Sequence, residues 1–70
     1  MTPSLLQKIG VALYGPRWQA DLARDLGVAP RSVQRWLTGD RGIPDLRQEL
    51  IDLINQRSTE LDHLITELKS

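Results

Sequence analysis

The sequence predicts an all-α fold, and three observations carry that expectation. Apolar residues recur at helical spacing in four separate stretches. No stretch alternates apolar and polar residues in the manner of a strand. Gly and Pro, Gly10 apart, fall at the borders of the four stretches.

The first helix is expected over residues 3–13, with Thr2 as N-cap and Pro3 at the first helical position, where its missing N–H costs nothing. Leu5, Leu6, Ile9, Ala12 and Leu13 fall on one stripe expected to be buried, and Gly15–Pro16 stops the helix. The second runs from residue 17 or 18 to 26 and turns Trp18, Leu22, Ala23 and Leu26 inward. Gly27 supplies the left-handed residue that closes it, and Val28 the apolar contact back to the last turn. The third starts at Pro30 and continues to residue 38, with Val33, Trp36 and Leu37 inward. At this spacing Trp18 and Trp36 read as core residues, not as stacking platforms for bases.

After a turn at Gly39, Asp40, Arg41 and Gly42, Pro44 is expected to open the longest helix, over residues 44–68. Its apolar stripe is Leu46, Leu50, Leu53, Ile54, Leu61, Leu64, Ile65 and Leu68. It is not a clean heptad, because Arg57 stands where another apolar residue is expected. Thr59 followed by Asp62 has the form of a capping box, so a break near residues 57–59 is the alternative to one continuous helix.

Seventy residues allow one domain, and a chain this short buries only about 60% of its unfolded surface. Cys is absent and His63 is the only histidine, which leaves no disulfide, no thiolate and no zinc set to staple it, and fits a reducing, cytoplasmic setting. No apolar run approaches the roughly 20 residues a membrane span needs, and no basic-then-apolar secretory pattern opens the chain. The net charge of zero hides a division. Residues 1–43 carry Lys8, Arg17, Arg24, Arg31, Arg35 and Arg41 against Asp21, Asp25 and Asp40. Residues 44–70 carry Arg47, Arg57 and Lys69 against Asp45, Glu49, Asp52, Glu60, Asp62 and Glu67. The first part is basic and the second acidic.

Two helices that cross steeply need a small residue where they touch, an apolar pair to hold them and a residue tolerant of positive φ between them. Ala23, Leu22, Leu26, Val33, Trp36 and Gly27 meet those needs. With 100° per residue, Arg31, Gln34, Arg35 and Thr38 gather opposite Val33, Trp36 and Leu37, with Ser32 on the flank. These side-chain types suit base edges in a DNA groove. Arg pairs with guanine O6 and N7, Gln with adenine N6 and N7, and the Thr methyl meets a thymine methyl, each good bidentate pair discriminating by roughly 1–3 kcal/mol.

At this point LARDLGVAPRSVQRWL is similar to the helix-turn-helix of the lambda-repressor/Cro-like (Xre-type) family of bacterial and phage regulators. In that family a small residue stands four before the turn glycine, a branched apolar residue six after it and another apolar residue three further on. Ala23, Gly27, Val33 and Trp36 match, and GDRGIPDL looks like the family's loop into its fourth helix. The resemblance covers roughly residues 17–50. The chain departs from the family in having one extended C-terminal helix in place of compact fourth and fifth helices. What the resemblance implies is an all-α helix-turn-helix domain, with the unit itself at residues 17–38 and base contacts from Arg31, Gln34, Arg35 and Thr38. Arg17 and Gln19 hold places that contact the phosphate backbone in the family; Ser32 and Arg41 are further phosphate candidates. Such contacts orient a protein without carrying sequence information.

Four residues on the last helix suffice to cover the first three, which leaves Leu61, Leu64, Ile65 and Leu68 as a homodimer interface. The expected function is a homodimeric transcriptional regulator, a repressor in the first instance, on an inverted-repeat operator in double-stranded DNA. The same residues leave open an antitoxin-like or adaptor protein whose acidic helix binds another protein, or a DNA-binding subunit of a phage packaging or recombination complex. Catalysis is not expected. His63 has no second ligand at i±4, Asp21 and Asp25 have Arg24 between them, and Ser4, Ser32, Ser58 and Ser70 have no base with an orienting partner. No cofactor, metal, membrane or small-molecule ligand is implied.

Overall fold

A computed structural model describes residues 1–70. The chain is all-α, with α1 Pro3–Tyr14, α2 Trp18–Leu26, α3 Pro30–Thr38 and α4 Arg47–Lys69, and contains no strand. Helices α1, α2 and α3 pack around a small core that α4 closes from one side. Leu6 of α1, Trp18, Leu22 and Ala23 of α2, Val33 and Trp36 of α3 and Leu50 of α4 form one buried cluster.

Thr2 caps α1 as its sequence suggests, its Oγ1 accepting from the Leu5 N–H at 3.2 Å. The buried line of α1, however, is Leu6, Gly10 and Leu13; Ile9 is half-buried, and Leu5 and Ala12 are exposed, contrary to the single stripe expected from spacing. The reason is Gly10. The Trp18 indole lies against its backbone so closely that a Cβ there would overlap the ring. The inward line therefore passes through a residue with no side chain, and its neighbours in the stripe are rotated outward.

Between α2 and α3 the chain turns at Gly27, at φ 74° and ψ 29°. The Val28 N–H donates to Ala23 O at 2.9 Å and the Gly27 N–H to Arg24 O at 3.2 Å, the paired bonds of a Schellman termination. Val28 packs back on the core cluster, so the turn is closed by backbone bonds and apolar contact together. With Ala23 and Val33 both fully buried at the contact, α3 lies close on α2.

The fourth helix starts later than expected. Pro44 does not open it; Arg47 does, because the Asp45 Oδ1 accepts the Arg47 N–H at 3.2 Å and holds residues 44–46 outside the helix. From there α4 runs unbroken for 23 residues, about 34 Å. Thr59 does not cap a new helix: its Oγ1 donates to Asn55 O at 3.0 Å, four residues back along the same one. Leu50 is buried and Leu46 and Leu53 are half-buried, but Ile54 is 42% exposed and so is not part of the cover expected of it. Every residue from Ile54 to Ser70 is exposed. The molecule is accordingly elongated, 49 × 22 × 20 Å, with the second half of α4 standing clear of the core.

Candidate nucleic-acid interface

Helix α3 is divided lengthwise by chemistry. Val33 is fully buried and Trp36 is 6% exposed, so the inner side is fixed to the core beside Leu6 of α1. On the outer side Arg31, Gln34 and Thr38 are exposed and Arg35 is partly so. The four candidate base-reading residues thus share one solvent-facing side. The Thr38 Oγ1 donates to Arg35 O at 3.3 Å and the Arg41 N–H reaches the same carbonyl at 3.4 Å, which ties the end of α3 to the loop that carries Arg41.

The phosphate candidates lie at the start of α2, in the first turn of α3 and in the loop after it. Arg17 stands at the N-cap position of α2 and is exposed, and Gln19 lies in the first turn, partly covered. Ser32 is partly covered in the first turn of α3, its N–H donating to Ala29 O at 2.9 Å. Arg41 is exposed in the loop after α3. Neither α2 nor α3 has a side-chain cap at its N-terminus, whereas α1 does. Uncapped first-turn N–H groups are suited to an oxyanion.

The electrostatics of the surface are uneven. Three ion pairs form, and they involve Arg24 and Arg57 only. Arg24 bridges two carboxylates of its own helix, Asp21 at 3.1 Å and Asp25 at 3.3 Å. The guanidiniums of Arg17, Arg31, Arg35 and Arg41 pair with no carboxylate, and two of them, Arg31 and Arg35, stand on the outer side of α3.

The pair Asp21 and Asp25 is thereby accounted for by structure. The Tyr14 hydroxyl donates to Asp25 Oδ2 at 2.6 Å, and this bond, more than the pairing with Arg24, holds the Asp25 carboxyl below the usual carboxylate range. Partial burial, then the bond to Asp25 and its charge, push the Tyr14 phenol up to about 12. An aspartate kept ionised in this way is the opposite of a general acid, which needs a raised pKa. The Arg57 guanidinium lies 5.9 Å from the centroid of the Tyr14 ring, close enough for cation–π attraction. That contact was not foreseen from the sequence, where Arg57 registers only as a gap in an apolar stripe. The aromatic at the end of α1 was the available signal.

No group of three or more His, Asp or Glu side chains is placed to hold a metal ion, and no helix is long and apolar enough to cross a membrane. Compared with known proteins, the chain matches no family model, no curated protein and no solved structure.

Proposed function

We propose that the protein is a sequence-specific DNA-binding transcriptional regulator of the helix-turn-helix class, with α2 and α3 as the unit and α3 as the helix that enters the major groove. One observation carries the reading. The outer side of α3 presents Arg31, Gln34, Arg35 and Thr38 to solvent with both guanidiniums free of carboxylates, while Val33 and Trp36 hold the opposite side rigidly in the core. Two like charges at i and i+4 repel by a few tenths of a kcal/mol in an isolated helix. A polyanion offsets that repulsion, and the major groove offers Arg and Gln the base edges they pair with.

In this reading Arg17, Gln19, Ser32 and Arg41 anchor the phosphates on either side, and Leu61, Leu64, Ile65 and Leu68 bring two copies together. The two α3 helices would then meet half-sites about 34–36 Å apart on an inverted repeat. Occupancy of the operator is the mode of action of this reading, that of a repressor. The setting is the cytoplasm.

The test is a gel shift on the DNA upstream of its own gene, with wild type and Arg35→Ala at two salt concentrations. Loss of one bidentate contact worth roughly 1–3 kcal/mol corresponds to about 5- to 150-fold weaker specific binding. Binding to unrelated DNA, driven by phosphate contacts and salt-sensitive, should change far less. Equal affinity of the two proteins for that fragment would remove α3 from the recognition role.

A further inference from the structure

The apolar residues that α4 leaves in solvent form a second stripe, distinct from the one that meets the core. Leu46, Leu50 and Leu53 point inward. About 100° around the helix, Ile51, Ile54, Ser58, Leu61, Ile65 and Leu68 follow one another at spacings of three and four. Ile51, Ile54, Leu61, Ile65 and Leu68 are each between 42% and 86% exposed. In heptad terms Ile51, Ser58 and Ile65 occupy the a positions and Ile54, Leu61 and Leu68 the d positions. The line that the whole sequence presents as one interrupted stripe is two stripes, and Arg57 continues the inward one, four residues after Leu53 and over the Tyr14 ring.

Beside the first half of this seam lies α1. Leu5 and Ile9 of α1 with Ile54 of α4 are shared by two adjoining open grooves of about 410 and 440 Å³, the first reaching Ile51 and the second Ala12, Ser58 and Leu61. Exposed Leu5 and half-buried Ile9 of α1 therefore flank the residues of α4 that the core leaves in solvent. Leu5, Ile51, Ile54, Leu61, Leu64, Ile65 and Leu68 are all at least two-fifths exposed. At on the order of 100 Å² each, they approach the roughly 800 Å² that one partner buries in a standard stable interface.

We propose that a second copy of this chain covers this surface, its α4 pairing with α4 in parallel and in register from Ile51 to Leu68, with Leu5, Ile9 and Ala12 of α1 widening the contact at its start. This rests on the homodimer of the proposed function but not on its DNA contacts. Three features select a copy of the same helix in this orientation. Ile at a with Leu at d, as at Ile51, Ile65, Leu61 and Leu68, is the combination that favours two parallel strands. Ser58 is the one polar residue in the seam, and a single polar a position fixes register at some cost in stability. Arg57 at g, which within one copy lies over Tyr14 and 3.9 Å from Glu60, has Asp62 of the second copy across from it at e only in the parallel arrangement. Leu64, also at g, lies on the flank of the seam, so the interface centre shifts from the last two turns of α4 to its whole length. Parallel pairing places both α2–α3 units at one end of the stalk, side by side.

The chain has no cysteine, so Leu68→Cys introduces a single thiol at a site 86% exposed, where it does not disturb the fold. In the parallel dimer the two thiols face each other at the tip. In an antiparallel pair they lie on the order of 25 Å apart, the rise of the 17 residues from Ile51 to Leu68. The expected result is a solution mass twice that of one chain by light scattering and near-complete disulfide cross-linking under mild oxidation. Adding Ile65→Asp should halve the mass and abolish the cross-link. A monomeric wild type at micromolar concentration overturns the proposal and the homodimer with it. A dimer in which Leu68→Cys does not cross-link overturns the parallel register and leaves the homodimer standing. Arg35→Ala, which weakens DNA binding, should leave mass and cross-link unchanged, so the two readings fail separately.

Discussion

Helices α3 and α4 both lay one side on the same core and turn the other to solvent, yet their outer sides are opposites. In the nine residues of α3 the inner side is fully committed, with Val33 and Trp36 buried, and the outer side is polar and cationic. In the 23 residues of α4 only Leu50 is buried, and the outer side carries Ile51, Ile54, Leu61, Ile65 and Leu68. The difference teaches how to read an exposed helix. Its inner side reports what holds it in place, and its outer side the surface it offers: a polar, cationic one on α3 and an apolar one on α4.

Breaking the inner side of α3 should have the largest effect. Trp36→Ala removes a buried indole and is expected to cost about 3–5 kcal/mol, read as a shift of the chemical denaturation midpoint. For a domain of this size that is a large part of the whole stability. Gly10→Ala comes next. The added methyl meets the Trp18 indole, and overpacking of this kind costs about 1–3 kcal/mol. Because Trp18 and Gly10 lie away from the exposed half of α4, this variant should lower the thermal midpoint while leaving the oligomeric state alone. A Gly10→Ala protein as stable as wild type would show that the indole can move aside.

The smallest effect sits at Tyr14, where the end of α1 meets Asp25 of α2 and Arg57 of α4. An unfolded tyrosine titrates near 10, and in the fold the phenol is pushed up to about 12. A raised pKa means that the fold favours the protonated form. The stability this contributes is complete below pH 10 and is lost as the pH rises through about 12. Tyr14→Phe has no such proton to lose. Its thermal midpoint should be slightly below wild type near neutral pH and should fall less steeply than wild type between pH 10 and 12.

Much of the fold could be read from local sequence because local chemistry decides it. The bounds of α3 follow from Pro30 and Gly39, those of α2 from Gly27, and the buried Trp18, Leu22, Ala23, Val33 and Trp36 from spacing alone. What resisted reading was non-local. The exposure of Leu5 and Ala12 depends on where Trp18 places its ring, a fact of packing between helices. On α4 two apolar lines about 100° apart overlap into one broad sector in the sequence, and only the position of the core separates them. Arg57 seemed a flaw in a stripe because its partner, Tyr14, is 43 residues away in the chain. Proline suits a first turn, so the sequence alone points to Pro44 as the start of α4, but Asp45 bonds the Arg47 N–H and delays it. For the candidate site, residue types and helical phase pointed to the side of α3. What they could not supply was which cations form ion pairs: Arg24 and Arg57 do, and Arg31 and Arg35 do not.

The stacking of Arg57 on Tyr14 has a mechanical consequence. Beyond that contact α4 continues for 12 exposed residues, an arm of about 18 Å. A tilt of about 10° at this fulcrum swings the free end by about 3 Å, as the 1.5 Å rise per residue dictates. Conversely, when the free end is clamped, the same tilt is delivered to the body that carries α3. A single cation resting on a single ring is therefore the place where a small change in angle becomes a displacement of several ångströms at the tip.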